Sequence, residues 1–94
     1  MKIGYDQIFQ QNIDGIFFIE LDDGCILYKE SDEVIYSLNN TAAFIWILLD
    51  GKRTVSNVTD ALQQSFDVKY ADLSTVVGNT IAELLKDNLI KRCI

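Results

Sequence analysis

The sequence predicts an α+β fold in which an antiparallel three-stranded sheet is followed by three helices. Three observations predict it. Short β-branched and aromatic runs separated by polar turn residues fill residues 16–38. Apolar residues at helical spacing then take over from residue 42 onward. The two kinds of pattern do not alternate along the chain, so crossover units of a parallel sheet are not expected.

Taken in order, Ile16-Phe17-Phe18-Ile19-Glu20-Leu21 reads as a strand, and Asp22-Asp23-Gly24 supplies the chemistry of a tight turn. Cys25-Ile26-Leu27-Tyr28-Lys29 returns, Glu30-Ser31-Asp32-Glu33 turns again, and Val34-Ile35-Tyr36-Ser37-Leu38 forms the third strand of a meander. Residues 1–15 are mixed in character and read as a loose arm or a short first strand. Asn39-Asn40-Thr41 offers cap residues for a buried helix over Ala42–Leu49, stopped by Asp50-Gly51. Thr54 can cap a second helix with Val55, Val58, Leu62 and Phe66 on one face, ended by Asp67-Val68-Lys69. The third helix starts near Asp72, and Leu73, Val76, Val77, Ile81, Leu84 and Leu85 trace the clearest apolar stripe in the chain. Gly78 inside it suggests close helix packing. Asp87-Asn88 ends it, and Leu89-Ile90 packs back or adds a short strand. Three such helices beside a small sheet suggest a winged helix-turn-helix.

Composition narrows the function. The chain has 94 residues, a length for one domain, with residues 1–12 as a candidate loose arm. No apolar run reaches membrane-spanning length and no signal segment opens the chain, so a cytoplasmic location and no membrane partner are expected. His is absent, which removes the commonest metal ligand and general base. Cys25 and Cys93 are far apart and read as reduced thiols. No nucleophile stands at a recognisable spacing from a base, so no catalytic residue, metal or cofactor is expected. The net charge of −6 is uneven: residues 1–50 hold two bases against nine acids, residues 51–94 six bases against five acids. Such acidity repels nucleic acid and favours a partner with basic groups.

Tyr36-Ser37-Leu38-Asn39 leads into Ala42-Ala43-Phe44-Ile45-Trp46-Ile47-Leu48-Leu49-Asp50-Gly51-Lys52-Arg53-Thr54-Val55. Further on come Phe66-Asp67-Val68 and Leu84-Leu85…Asn88-Leu89-Ile90. In order and spacing these stretches resemble the PqqD-like family, over roughly residues 13–92. Each alone consists of ordinary packing residues. The resemblance implies a winged helix-turn-helix that serves as a RiPP recognition element. Such a protein is non-catalytic and binds the leader segment of a ribosomally made precursor peptide for a modifying enzyme such as a protease, cyclase or radical-SAM enzyme. It implies that the leader adds a strand beside the third strand, Val34, Ile35, Tyr36, Ser37 and Leu38, next to the third helix. There the exposed shoulder comprises Asp72, Thr75, Val76, Asn79, Thr80 and Glu83. The residues leave open which face of the third strand meets the helices, and a free sheet edge leaves a homodimer open. Two other functions compete: a generic adaptor or dimerisation domain, and a DNA-binding winged helix, which the lack of bases over residues 54–66 and 70–85 disfavours.

Overall fold

The computed structural model describes residues 3–66 and 69–93. The elements run β1 (Ile8–Gln11), β2 (Ile16–Leu21), β3 (Gly24–Lys29), β4 (Val34–Asn39), α1 (Asn40–Leu48), β5 (Asp50–Thr54), α2 (Val55–Ser65), α3 (Tyr70–Lys86) and β6 (Ile90–Arg92). The fold is α+β, with the expected antiparallel meander in the order β2-β3-β4. Among the described residues there are six strands, however, and not three. A second sheet, β5-β1-β6, ties the two ends of the chain to the segment between the first two helices.

This second sheet decides one open reading and corrects another. Of the loose arm and the short first strand, residues 8–11 are the strand, central in its sheet, and Phe9 is fully buried. Asp50-Gly51 does follow the end of α1, but it opens a strand where a plain turn was expected. The Asp50 carboxylate accepts from the Lys52 and Arg53 amides and pairs with the Arg53 guanidinium, which holds its pKa below the usual carboxylate range. Gly51 takes a φ of 83°, and β5 then pairs antiparallel with β1. The break expected at Asp67-Val68 lies outside the described residues.

Capping chemistry sets the helix ends. The Asn39 side chain accepts from the Ala42 N–H at 2.8 Å, so β4 passes directly into α1. Thr54 and Asn57 form a reciprocal capping box at the start of α2. The end of α1 is held from β1, where Gln11 Nε2 donates to the Trp46 and Ile47 carbonyls.

One core joins these layers. Cys25 and Leu27 of β3 meet Ala43, Ile45 and Trp46 of α1, Val58 and Leu62 of α2, and Leu73, Val77, Ile81 and Leu84 of α3. Trp46 stacks on Phe18 with centroids 5.5 Å apart and planes 7° from parallel. The expectation of close packing at Gly78 does not hold: a Cβ there would meet nothing within 4 Å. Gly78→Ala should therefore stabilise the protein by about 1 kcal/mol through helix propensity alone. Thermal unfolding would check this, and a lower Tm would refute it.

Candidate functional site

The β4 strand lies at one end of its sheet and, among the described residues, pairs only with β3. Which of its main-chain groups are free follows from the ladder. The Glu30 N–H reaches the Gly15 carbonyl at 2.8 Å, on the β2 side. Alternation then turns residues 24, 26 and 28 of β3 toward β2 and residues 25, 27 and 29 toward β4. Cys25, Leu27 and Lys29 stand opposite Leu38, Tyr36 and Val34. The main-chain groups of Val34, Tyr36 and Leu38 are therefore used within the sheet, and those of Ile35 and Ser37 point out from its edge. Among the described residues, no backbone bond outside the sheet engages residues 34–38.

Side chains alternate across the sheet, which answers the question the sequence left open. Tyr36 and Leu38 pack against the core beneath the helices. Ile35 and Ser37 face away, and Ile35 is 65% exposed. Val34, at the strand's start, is also exposed.

Between this edge and α3 runs a groove of about 370 Å³, lined by Ile35, Tyr36, Ser37, Leu38, Ala42, Thr80, Glu83, Leu84, Asp87 and Leu89. Leu38, Ala42, Leu84 and Leu89 supply its apolar part, and Glu83 and Asp87 bring carboxylates. Ala42 matters by being small, since a longer side chain in the first turn of α1 would fill the space. Leu89 comes from a Schellman end to α3. Asn88 adopts the left-handed conformation (φ 56°), its N–H bonds the Leu85 carbonyl, and the Leu89 N–H bonds the Leu84 carbonyl at 2.9 Å. That turn drives Leu89 back into the core at the end of the groove. Lys29 ties the sheet to the same corner: its ammonium pairs with Asp32 at 2.9 Å and donates to the Asp87 carbonyl at 3.2 Å. The bond to Asp32 raises the Lys29 pKa and lowers that of Asp32.

Of the helix residues named from the sequence, Thr80 and Glu83 line the groove together with Ile35, Tyr36, Ser37 and Leu38. Asp72, Thr75, Val76 and Asn79 are exposed on earlier turns of α3, beyond this lining, as is Val34 at the start of β4. Sequence reasoning missed Ala42, Leu84, Asp87 and Leu89 as lining residues. Leu84 was assigned wholly to the inward stripe, and the Asn88 turn that aims Leu89 leaves only a faint trace in sequence.

Two other surface hollows differ in lining: one of about 400 Å³ is lined mainly by polar side chains such as Gln10, Asp14 and Lys91, and one of about 440 Å³ mixes Asp6, Gln7 and Arg92 with Ile8, Gly51 and Cys93. Among the described residues no three His, Cys, Asp or Glu side chains gather as a metal site, and no helix is long and apolar enough to cross a membrane. Cys25, buried, and Cys93 are both free thiols, and burial pushes the Cys25 thiol pKa up.

Known proteins share this architecture. TbiB1 in complex with the TbiA(beta) leader peptide superposes with a TM-score of 0.77 at 17% identity, covering 87% of this chain and 94% of that one. Lasso peptide synthetase B1 complexed with the leader peptide gives 0.77 at 20% identity, over 88% of this chain and 96% of that chain. The PqqD truncation of Methylobacterium extorquens PqqCD, a functional and stand-alone RiPP recognition element, gives 0.77 at 18% identity, over 96% and 95%. At such identities the likeness is one of fold. No curated protein matches the sequence significantly. The family model for coenzyme PQQ synthesis protein D matches residues 24–90, from the first residue of β3 to the first of β6 and well over half the chain. The chain belongs to the PqqD family.

Proposed function

We propose that this protein binds the leader segment of a ribosomally made precursor peptide as an added strand on the free edge of β4, and presents it to a separate modifying enzyme. The observation that carries this reading is the groove itself: a strand edge with no partner strand among the described residues lies along an apolar channel whose far wall is a helix. An added strand would gain main-chain hydrogen bonds from Ile35 and Ser37, while the channel between Leu38 and Leu84 takes a side chain and fixes register. Thr80 and Glu83 would flank it, and Asp72, Thr75, Val76 and Asn79 extend the same helix face for a longer leader. Two of the structures of similar fold were solved with leader peptides bound, which supports the reading.

We read the arrangement of α1–α3 and the β2–β4 sheet as a winged helix-turn-helix put to peptide work. The described charges of α2 and α3, Asp60, Asp72 and Glu83 against Lys86, suit a phosphate backbone poorly. We also read the protein as non-catalytic: the groove's polar side chains offer no nucleophile paired with a base, so the chemistry falls to the partner enzyme.

A labelled leader, taken from any short precursor peptide found encoded near this gene, should give saturable anisotropy changes in the nanomolar to micromolar range. For a leader bearing Lys or Arg, affinity should fall as salt rises, because residues 1–50 hold nine of the fourteen acids. Absence of binding by folded protein would defeat the proposal in favour of a generic adaptor. A salt-independent affinity would defeat the electrostatic part.

A further inference from the structure

The helices cover only one face of the β2-β3-β4 sheet. On the other face, Phe17, Tyr28 and Ile35 stand in one cross-strand row, and Ile19, Ile26 and Ser37 in the next, with Leu21 at the end of β2. Phe17 and Ile19 are each 53% exposed and Ile35 is 65% exposed, while Phe17 and Tyr28 bring their rings to 6.1 Å. A solvated antiparallel face ordinarily carries polar side chains. Here Ser37 is the polar exception in these two rows. An apolar patch of this continuity marks a surface that another molecule covers.

Charge says which molecule. The turns around the patch carry Asp14, Asp22, Asp23, Glu30, Asp32 and Glu33. Lys29, the sole base between residues 13 and 39, is engaged with Asp32 and the Asp87 carbonyl. A second copy would set one acidic rim against another, which costs affinity. A protein surface with an apolar centre and a rim of Lys and Arg is complementary. Ile35 belongs both to this face and to the lining of the groove, so whatever docks here lies directly beside the β4 edge.

We infer that the outer face of the β2-β3-β4 sheet is the docking surface for the peptide-modifying enzyme, through a basic-rimmed apolar patch on that enzyme. The inference rests on the leader-binding reading for its choice of partner. It divides the labour: the β4 edge holds the substrate, and the adjoining face holds the catalyst.

Phe17 and Ile19 sit on β2, two strands from β4, so they separate the two events. The probe is a purified peptide-modifying enzyme whose gene is found near that of this chain. The double variant Phe17→Lys, Ile19→Lys should bind the leader with a Kd within twofold of the parent, bind the enzyme at least about tenfold more weakly, and slow leader modification correspondingly. Asp22→Lys with Asp23→Lys should weaken enzyme binding and flatten its salt dependence. Should the lysines unfold the sheet, Phe17→Ser with Ile19→Ser makes the same cut. Unchanged enzyme affinity in all folded variants overturns the inference. So does a sedimenting dimer of the parent that these substitutions dissociate while enzyme affinity stays, since the face would then belong to a second copy. Loss of leader binding by the parent protein overturns the reading beneath, and is scored in a separate titration.

Discussion

Ser37→Pro should abolish leader binding while leaving the protein folded. The Ser37 N–H points out from the sheet edge, so the substitution removes no ladder bond to β3, and proline is tolerated on such edges. What it removes is the donor an incoming strand would use, and its ring occupies the space where that strand must approach. A lost main-chain bond together with the steric block should cost about 2 kcal/mol or more, roughly a thirtyfold or greater loss of affinity. Ile35→Pro should act alike. Tyr36→Pro makes the contrast, because Tyr36 stands opposite Leu27 with its main chain turned into the sheet and its ring packed on the core. That variant should lose stability first. Anisotropy titrations beside circular-dichroism melts test the pattern. Wild-type affinity in folded Ser37→Pro would remove the added strand from β4.

Gly24→Ala should be among the most damaging small substitutions in the chain. Gly24 opens β3 at a φ of 155°, and a Cβ there would stand 2.0 Å from the Leu38 carbonyl oxygen and 3.1 Å from the Leu38 and Asn39 carbonyl carbons. These are backbone atoms, so no side chain can swing aside. Relief requires the end of β4 to move, and with it the Asn39 cap of α1. A loss of about 3 kcal/mol, or roughly 15 °C in Tm for a protein this size, is expected. Leader affinity should fall as well, since Leu38 lines the groove. A melt within a few degrees of the parent would show that β4 is less firmly placed than its register implies. Gly78, where an added Cβ meets nothing within 4 Å, makes the internal control: the same added methyl is expected to help there and to harm at Gly24.

The strands and helices with strong periodic signals were legible in the sequence. The β2-β3-β4 meander announced itself by β-branched runs and the Asp22-Asp23-Gly24 turn, and α3 by its long apolar stripe. The second sheet was legible only in part: residues near 8–11 and at Ile90 could each be read as a short strand, but β5 is built from Asp, Gly, Lys, Arg and Thr, which carry no strand pattern. Its pairing depends on the backbone of β1 arriving from a distance in sequence. The inward face of β4 was also hidden. Its two sides, Tyr36 with Leu38 and Ile35 beside Ser37, are both apolar enough to be core, and only packing separates them. The groove was half visible: Thr80 and Glu83 follow from helix spacing, whereas Leu89 reaches it only through the left-handed turn at Asn88.

Pairing of Phe9 with Arg92 has a kinetic consequence. The central strand of the second sheet cannot be flanked on both sides until residue 92 has been synthesised, so β1 must wait until then for its second neighbour. Closing a loop of that length is slow and comes late, after the local β2–β4 hairpins and the helices have formed. Residues 90–92 therefore seal residues 8–11, the pairing of highest sequence separation in the fold.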